Sequence, residues 1–299
     1  MTSNTPGPGS SAAQSLIADA AARRGATKKR GIIIAAAIAA VAVVAIVIVT
    51  IFAQRGGAAS ERQKLVVGAT PVPHAEILEQ VKPLLAEQGI DLDIVVFQDF
   101  IQPNAQLTEG ELDANYYQYL PFLDNYNEES GADLQPTVPV HIEPFGAFSE
   151  KFDSLDEVTE GSKVAIPNDP VNVGRALTLL EQEGLITLAN PGDTASTVGD
   201  IAENPRNLDI VELEGASLAR SIDQVDVAFV FSNYALDVGL DPLSAIFTDA
   251  GNEKYAEYLV TRPELVDDPR IKALDEALQS DTVRDFIESE YEGSIDVAF

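Results

Sequence analysis

Hydrophobic positions along the chain follow three patterns. Residues 31–53 form one uninterrupted apolar run, and from residue 64 short apolar runs alternate with segments of helical spacing. In 75–88, for example, apolar residues recur every three or four positions, which is typical of an amphipathic helix. Alternation of strands and helices favours parallel α/β sheets, here as two lobes with a ligand at their junction. The predicted strands are 65–67, 92–97, 112–114, 138–148, 163–166, 208–213, 225–231 and 258–261, and the predicted helices are 75–88, 119–130, 171–183, 216–222, 271–279 and 282–290.

The run at 31–53 contains 23 residues without a single charge. As a helix it reaches roughly 34 Å at about 1.5 Å per residue, which is enough for a hydrocarbon core of about 30 Å. A cleaved signal peptide is the alternative, although its apolar region usually has only about 7–15 residues. The sequence therefore predicts an uncleaved transmembrane anchor at 31–53.

Basic residues are concentrated on the N-terminal side of this anchor, whereas only Arg55 and Arg62 follow soon after its other end. Three of them, at 28–30, adjoin its N-terminal end, and the positive-inside rule places that end in the cytoplasm. Residues 1–30 are then a disordered cytoplasmic tail, and 54–63 are a short spacer. The predicted localisation is the cell membrane, with a single pass and with the body, 64–299, on the extracellular side.

The body is strongly acidic. The whole chain has a net charge of −29, and residues 55–299 carry 47 acidic and 14 basic residues, a net charge of −33. This balance argues against a nucleic-acid partner, because phosphate neutralisation needs Lys and Arg. The chain has no cysteine and only two histidines, His74 and His141. Disulfides, thiol catalysis and Cys-ligated metals are therefore excluded, and neither a metal site nor a cofactor is expected.

Motifs of the common enzyme classes are missing from the sequence. The string nearest to a nucleophile elbow, 215–219, ends in Ala219 where the motif needs glycine. The sequence has neither a phosphate-binding loop nor the glycine pattern of a dinucleotide site. Neighbouring acids such as Glu128 and Glu129 are explained by a solvated face. We therefore predict no catalytic site and expect a protein that is not an enzyme.

Two other segments combine unusual residue types. The first, 113–122, holds Tyr116, Tyr117 and Tyr119 at the point where the predicted strand gives way to a helix. Tyrosine rings offer a broad apolar face with a polar tip, which suits a small amphipathic ligand. Packing in a core or at an interface explains such tyrosines as well, so this segment alone leaves both interpretations open.

The second segment, 166–175, leads from a predicted strand into a predicted helix. Asp169 is a natural N-cap, and Pro170 suits the first helical turn. The free N–H groups of such a turn attract anions, and Arg175 can add a bidentate grip on a carboxylate. A surface position is the alternative for an isolated arginine, but beside the tyrosine segment the pattern favours a carboxylate site.

Short strings of the body occur together in one order, and together they are highly specific. They are 67–70 (VGAT) with 73–78 (PHAEIL), 97–100 (FQDF) with 103–104 (PN), 113–115 (DAN) with Gln118, 164–170 (VAIPNDP) with 174–175 (GR), 203–205 (ENP) with 207–208 (NL), and 233–235 (NYA). With these strings, the body from Lys64 to Asp296 resembles the methionine-binding lipoproteins of bacterial ABC importers, the NlpA type.

The resemblance implies a fold and a partner. The fold is the type II-like periplasmic-binding-protein fold, two α/β lobes that close on an amino acid such as methionine. The first lobe would comprise 64–146 plus 236–299, and the second 147–235. A protein of this type delivers its amino acid to an ABC permease that is driven by a cytoplasmic ATPase.

The resemblance also implies which residues bind the ligand. In the family, aromatic rings wrap the thioether side chain, while an arginine and asparagines hold the carboxylate and the amino group. His74 matches the family's first loop, where a structural hydrogen bond is the alternative role. The ligand-binding candidates are Phe97, Phe100, Tyr117, Tyr119, Asn172, Arg175, Phe231, Asn233 and His74.

Three departures from the family pattern change this picture. The sequence has no lipobox cysteine, so the anchor at 31–53 would replace the lipid. Tyr119 stands where the family usually has histidine, and Phe231 where it usually has asparagine. The ligand is therefore methionine, a more apolar amino acid or a methionine-containing dipeptide. The alternative function is a receptor or interaction module that keeps the fold without transport.

Overall fold

The structure, a computed structural model, describes residues 62–249 and 252–299 of the chain. The predicted cytoplasmic tail, the anchor at 31–53 and nearly all of the predicted spacer lie outside these residues. None of the helices in the described ranges has the length and hydropathy of a membrane span. The anchor at 31–53 therefore stays a prediction.

Strands and helices alternate through the described residues, as the hydrophobic pattern predicts. The strands are β1 (Gln63–Ala69), β2 (Ile90–Val96), β3 (Ala114–Tyr119), β4 (Gln135–Ile142), β5 (Phe145–Phe148), β6 (Lys163–Pro167), β7 (Thr187–Leu188), β8 (Ile201–Glu203), β9 (Asp209–Leu213), β10 (Val227–Phe231), β11 (Phe247–Thr248), β12 (Ala256–Thr261) and β13 (Asp296–Val297). The helices are α1 (Glu76–Glu87), α2 (Gln102–Glu109), α3 (Leu120–Ser130), α4 (Pro170–Gln182), α5 (Gly215–Leu218), α6 (Ser232–Asp237), α7 (Pro269–Leu278) and α8 (Asp281–Glu290).

The strands form two main sheets. The first has the order β13-β4-β12-β3-β1-β2, and the second has the order β11-β5-β10-β6-β9. Strand β1 pairs in parallel with β2 and β3, and β6 pairs in parallel with β9 and β10. Both sheets are mixed, because β12 enters the first sheet antiparallel to β3 and β5 enters the second antiparallel to β10. The α/β class is confirmed, with antiparallel strands added to the predicted parallel ones.

Each sheet has its own hydrophobic core. Helix α1 covers the first sheet with Ile77, Leu78 and Val81, all fully buried. Helix α4 covers the second sheet, and its Leu177 and Leu180 are fully buried as well. Two separate cores are the property expected of two α/β lobes.

The predicted boundary between the lobes needs one adjustment. The prediction assigns 236–299 to the first lobe, but β11 pairs with β5 in the second sheet. Strand β5 itself begins at Phe145, just before the predicted start of the second lobe. We propose that the second lobe extends from 145 to 249, because hydrogen bonding joins β11 to that sheet.

The tyrosine segment differs from its prediction. The sequence predicts a strand that ends at 114 and a helix from 119, whereas β3 continues to Tyr119 and every residue in it is buried. Strand β3 lies between β1 and β12 and is covered on both faces, so it lacks the alternation of polar and apolar residues that marks a half-exposed strand. Helix α2 is missed by the prediction because its only large apolar residue is Leu107.

Candidate functional site

A cavity lies where residues of the two sheets meet. Its lining side chains pack closely and leave little free volume between them. Eight of the nine predicted site residues line it, and Phe97 does not. The lining residues are His74, Phe100, Tyr117, Gln118, Tyr119, Phe122, Glu143, Asn172, Arg175, Phe231, Asn233 and Glu257.

Phe97 is the one predicted site residue that lies outside the cavity lining. Phe97 follows β2 and packs in a separate cluster with Leu107, Leu112 and Leu123. Its ring also covers Gly68, where an added Cβ would lie 2.9 Å from a Phe97 ring carbon. Phe97 therefore fills the core behind β1 and β2, and Phe100, three residues later, is the aromatic residue that reaches the cavity.

Aromatic rings form one wall of the cavity. The ring of Phe100 lies 5.9 Å from that of Tyr117, 5.6 Å from Phe231 and 6.2 Å from Phe122, measured between centroids. These distances are typical of packed aromatic pairs. Such a wall favours an apolar side chain of a ligand, and it brings residues of β3, α3 and β10 together.

The start of α4 forms a second, polar wall. Asp169 caps the helix by accepting the N–H of Asn172 at 3.0 Å, and the Asn172 side-chain amide donates to both Asp169 carboxylate oxygens at 3.0 Å. Tyr119 O–H donates to Asn172 Oδ1 and so joins β3 to α4. Asn172 is therefore held in one orientation by both of its side-chain atoms.

Arg175 lies one turn further along α4 and is only 3% exposed. Its Nε donates to Asp249 Oδ2 at 2.8 Å, and its guanidinium carbon lies 3.6 Å from the centroid of the Tyr255 ring. Burial lowers the Arg175 pKa, but Asp249, Tyr119 and Tyr255 together outweigh it, and the pKa is raised. Arg175 Nη2 lies 2.7 Å from the same Asp249 oxygen, so Asp249 forms an ion pair with this side of the guanidinium group.

Two histidines and two carboxylates form the third wall and the layer behind it. His74 Nδ1 lies 2.7 Å from Thr70 Oγ1, and His74 Nε2 lies 3.4 Å from Glu143 Oε1. His141 Nε2 lies 3.0 Å from that same Glu143 oxygen, and its Nδ1 bonds to the Tyr116 hydroxyl. Glu143 Oε2 accepts the backbone N–H of Asn233 at 3.1 Å.

Burial sets the ionisation of this wall. It lowers the pKa of both His74 and His141 to about 3, so both rings are neutral. Burial also raises the pKa of Glu143, and burial together with the nearby Glu143 raises the pKa of Glu257 well above its usual range. The wall therefore contains two acids whose pKa values are raised and two neutral imidazoles.

One group among the described residues has the composition of a metal site. The donor atoms of His74, His141 and Glu143 lie within 4.8 Å of one another, and two imidazoles with a carboxylate are a common zinc ligand set. Each imidazole also has a hydrogen-bonded role without an ion, since its Nδ1 contacts a hydroxyl group. The prediction that the site needs no metal stays a prediction.

Sequence reasoning misses part of the cavity. Phe122 and Gln118 lie inside the tyrosine segment, but the segment does not distinguish them as ligand contacts. Glu143 ends the predicted extended segment, and Glu257 is one of 48 acidic residues with nothing in its neighbourhood to distinguish it. The partner of Arg175, Asp249, is 74 residues away in sequence, so only the fold brings the two together.

Comparison with known proteins places these features in a family. Residues 65–299 match the family model described as NlpA lipoprotein. The D-methionine-binding lipoprotein MetQ of Escherichia coli K12 is 39% identical over 212 residues, which are 70% of this chain and 78% of that protein. The methionine-binding lipoprotein MetQ of Bacillus subtilis is 36% identical over 242 residues, 79% of this chain and 88% of that protein.

Solved structures agree with the sequence relatives. A nutrient-binding protein from Burkholderia cenocepacia, solved with bound methionine, superposes with a TM-score of 0.76 at 38% identity. The match covers 79% of this chain and all of that protein. The two-lobed periplasmic-binding-protein fold is therefore confirmed, and this chain belongs to the NlpA lipoprotein family.

Proposed function

We propose that the protein is the solute-binding component of an ABC importer and that it encloses methionine or a related amino acid between its two lobes. The observation that carries the proposal is the cavity itself, where an aromatic wall faces a buried arginine at the start of a capped helix. Relatives that cover most of the chain are named for methionine binding. Binding without catalysis is the proposed activity, with a permease and its ATPase as partners.

Each wall has a role in this proposal. The rings of Phe100, Tyr117 and Phe231 surround the ligand side chain, as thioethers and aromatic rings attract each other. Arg175 and the first turn of α4 hold the carboxylate through charge-assisted hydrogen bonds. Asn172 orients Tyr119 beside that carboxylate.

Binding to Arg175 is tested by calorimetry on the full chain in detergent. The ligands are L-methionine, D-methionine, apolar amino acids and methionine-containing dipeptides. Loss of a buried charge partner typically costs about 2–5 kcal/mol, so Arg175→Ala should weaken binding roughly 30-fold to several thousandfold. Arg175→Lys should restore part of the affinity, because a point charge replaces only part of the bidentate fork.

The control for this experiment is Arg220→Ala. Arg220 is exposed and its closest carboxylate is Asp237, 3.7 Å away. We expect its removal to leave ligand affinity unchanged. Equal binding by Arg175→Ala and the parent would place the carboxylate site elsewhere and contradict the proposed binding mode.

We further propose that residues 31–53 anchor the protein in the membrane and replace the lipid of its lipoprotein relatives. Support comes from the charge-free run of 23 residues and from the absence of cysteine. Protein isolated from its native membrane should keep its N-terminal tail and lose its body to protease added from outside. A mature N-terminus after Ala53, found by N-terminal sequencing, would contradict the anchor and indicate a cleaved signal peptide.

A further inference from the structure

His74, His141 and Glu143 bring three metal-binding groups together at the floor of the cavity. His74 lies in the turn between β1 and α1, His141 lies on β4, and Glu143 directly follows β4. Their donor atoms lie within 4.8 Å of one another, and each side chain is less than a tenth exposed. The sequence predicts no metal site because it contains only two histidines, but the fold places both imidazole rings side by side.

Two buried atoms at this point lack a hydrogen-bond partner among the described residues. They are His74 Nε2 and Oε2 of Glu257, which lies on β12, and they are 4.0 Å apart. His74 is 1% exposed and Glu257 is 6% exposed. A buried polar atom without a partner is destabilising, so two of them side by side indicate a bound species that contacts both. Glu257 is therefore a fourth ligand candidate beside the other three.

The spacing of the donor atoms fits a small tetrahedral ion. Zinc binds nitrogen and oxygen at about 2.0–2.1 Å, which places neighbouring ligand atoms of a tetrahedron about 3.3 Å apart. His141 Nε2 and His74 Nε2 lie 3.0 Å and 3.4 Å from Glu143 Oε1. Glu257 Oε2 lies 4.0 Å from His74 Nε2. Small side-chain rotations are therefore enough to bring the four atoms around one ion.

The layer behind the two imidazoles is also that of a metal site. A histidine that binds zinc through one ring nitrogen usually donates from the other nitrogen to a fixed acceptor. His74 Nδ1 lies 2.7 Å from Thr70 Oγ1. His141 Nδ1 contacts the hydroxyl group of Tyr116. Both acceptors belong to fully buried residues, so each ring is held with its Nε2 directed toward the carboxylates.

We propose that a Zn²⁺ ion binds at the floor of the cavity. Its ligands are His74, His141, Glu143 and Glu257. Buried charges are paired or coordinate metals, and in the described ranges the salt-bridge partners of the two carboxylates are histidines only. Two imidazole ligands favour zinc over magnesium and calcium, which prefer oxygen ligands. Four protein ligands are typical of a structural site, so the ion would join β4, β12 and the turn after β1.

Zinc binding is measured by calorimetry on the full chain in detergent, after treatment with EDTA and removal of the chelator. No amino acid is present, and excess MgCl₂ occupies the surface carboxylates, because magnesium prefers oxygen ligands. The parent should bind one Zn²⁺ per chain in a saturable step. His141→Gln should weaken this step by more than about 100-fold, since loss of an outer partner of a ligand alone costs about 10-fold to 100-fold.

Thr70→Val tests the geometry without removal of a ligand. Valine keeps the shape of the side chain but lacks the acceptor for His74 Nδ1, so zinc affinity should fall roughly 10-fold to 100-fold. The control is Glu253→Gln, which changes an exposed acid and should bind zinc as the parent does. Thermal unfolding without zinc shows which variants are folded, and if His141→Gln is not, the result for Thr70→Val decides.

Two results would overturn the inference. One is a parent without a saturable zinc step. The other is equal zinc affinity in the parent, His141→Gln and Thr70→Val, which would mean binding by surface carboxylates only. In support of the site, X-ray absorption at the zinc edge should show nitrogen and oxygen ligands at about 2.0–2.1 Å together with the scattering of two imidazoles.

The zinc site goes beyond the proposed function and is tested apart from it. Arg175 and the aromatic wall contribute none of the zinc ligands, and His141 lies behind the cavity lining. Methionine binding is measured on the parent with and without zinc. Methionine binding without a zinc step would leave the proposed function standing and reject the metal. A zinc step that the variants weaken, in a parent that binds no amino acid of the panel, would support the metal and reject the proposed function.

Discussion

His74 and His141 lie edge to face, with ring centroids 4.9 Å apart, beneath the cavity. Each Nδ1 contacts a hydroxyl group, and both Nε2 atoms face Glu143. These contacts satisfy both nitrogens of a neutral His141 ring, since a neutral imidazole accepts one hydrogen bond and donates another, whereas His74 Nε2 makes no hydrogen bond to the described residues. Individual side chains at this site are thus adapted to neutral histidine, and the energy of the network depends on pH.

This dependence gives a prediction for His141→Gln. The folded-state pKa is about 3 against about 6.5 unfolded, so only the unfolded chain takes up the proton between these values. The stability that the neutral ring provides is therefore lost as pH falls below about 6.5, by up to about 2 kcal/mol at pH 5. The raised pKa values of Glu143 and Glu257 have the opposite effect, because they increase the stability of the folded protein as pH falls. This effect is the same in the parent and in the variant. Urea unfolding should show that the free energy of unfolding falls between pH 7 and pH 5 by about 2 kcal/mol less in His141→Gln than in the parent.

Tyr116→Phe is the matched control for that measurement. It removes the hydroxyl that contacts His141 Nδ1 but keeps the histidine, so its acid sensitivity should stay close to that of the parent. If the parent and His141→Gln lose the same free energy of unfolding between pH 7 and pH 5, His141 is not held neutral in the folded protein.

Among the secondary-structure elements, α4 is the part of the site that the sequence predicts best. Asp169 and Pro170 mark its start, and both take the predicted positions, so Arg175 follows at a known distance from the cap. Gly174 adds a constraint that the pattern does not reveal. A Cβ there would lie 1.9 Å from the carbonyl oxygen of Thr194, so the helix needs glycine to approach that loop. Local signals thus position the helix, while its close packing depends on a segment 20 residues away.

Other elements show where sequence reasoning ends. The sequence predicts a boundary between a strand and a helix at the tyrosine segment, whereas the structure shows that these tyrosines belong to strand β3. Because β3 is buried on both faces, it lacks the alternating pattern that would have identified it as a strand. Strand β11 has two residues and carries no periodic signal, yet it places Asp249 beside Arg175. Glu257 reaches the cavity only because β12 returns from the C-terminal part of the chain to pair with β3. The pattern predicts most of the elements, and eight of its nine candidate residues are among the twelve that line the cavity, whereas the acidic residues reach the site through long-range pairing.

At the scale of the whole molecule, the dominant feature is excess negative charge. Residues 55–299 have 47 acids and 14 basic residues, so most acids have no basic partner available. Several basic residues that do pair are exposed, such as Lys64 with Asp93 at 2.8 Å and Lys82 with Glu79 at 3.3 Å. Exposed pairs of this kind stabilise by only about 0–1 kcal/mol. Repulsion among the unpaired acids therefore outweighs attraction at the surface.

Salt should consequently stabilise the protein. Screening shortens the Debye length from about 30 Å at 0.01 M to about 8 Å at 0.15 M, and it weakens the many repulsions more than the few surface pairs. We expect the melting temperature to rise with NaCl over this range and to level off above it, because separations beyond 8 Å are then already screened. KCl at the same ionic strength should give the same rise, since screening does not depend on the identity of a monovalent cation. A melting temperature that stays constant from 0.01 to 0.15 M NaCl would mean that the acids are spaced widely enough for their repulsion to have no effect on folding.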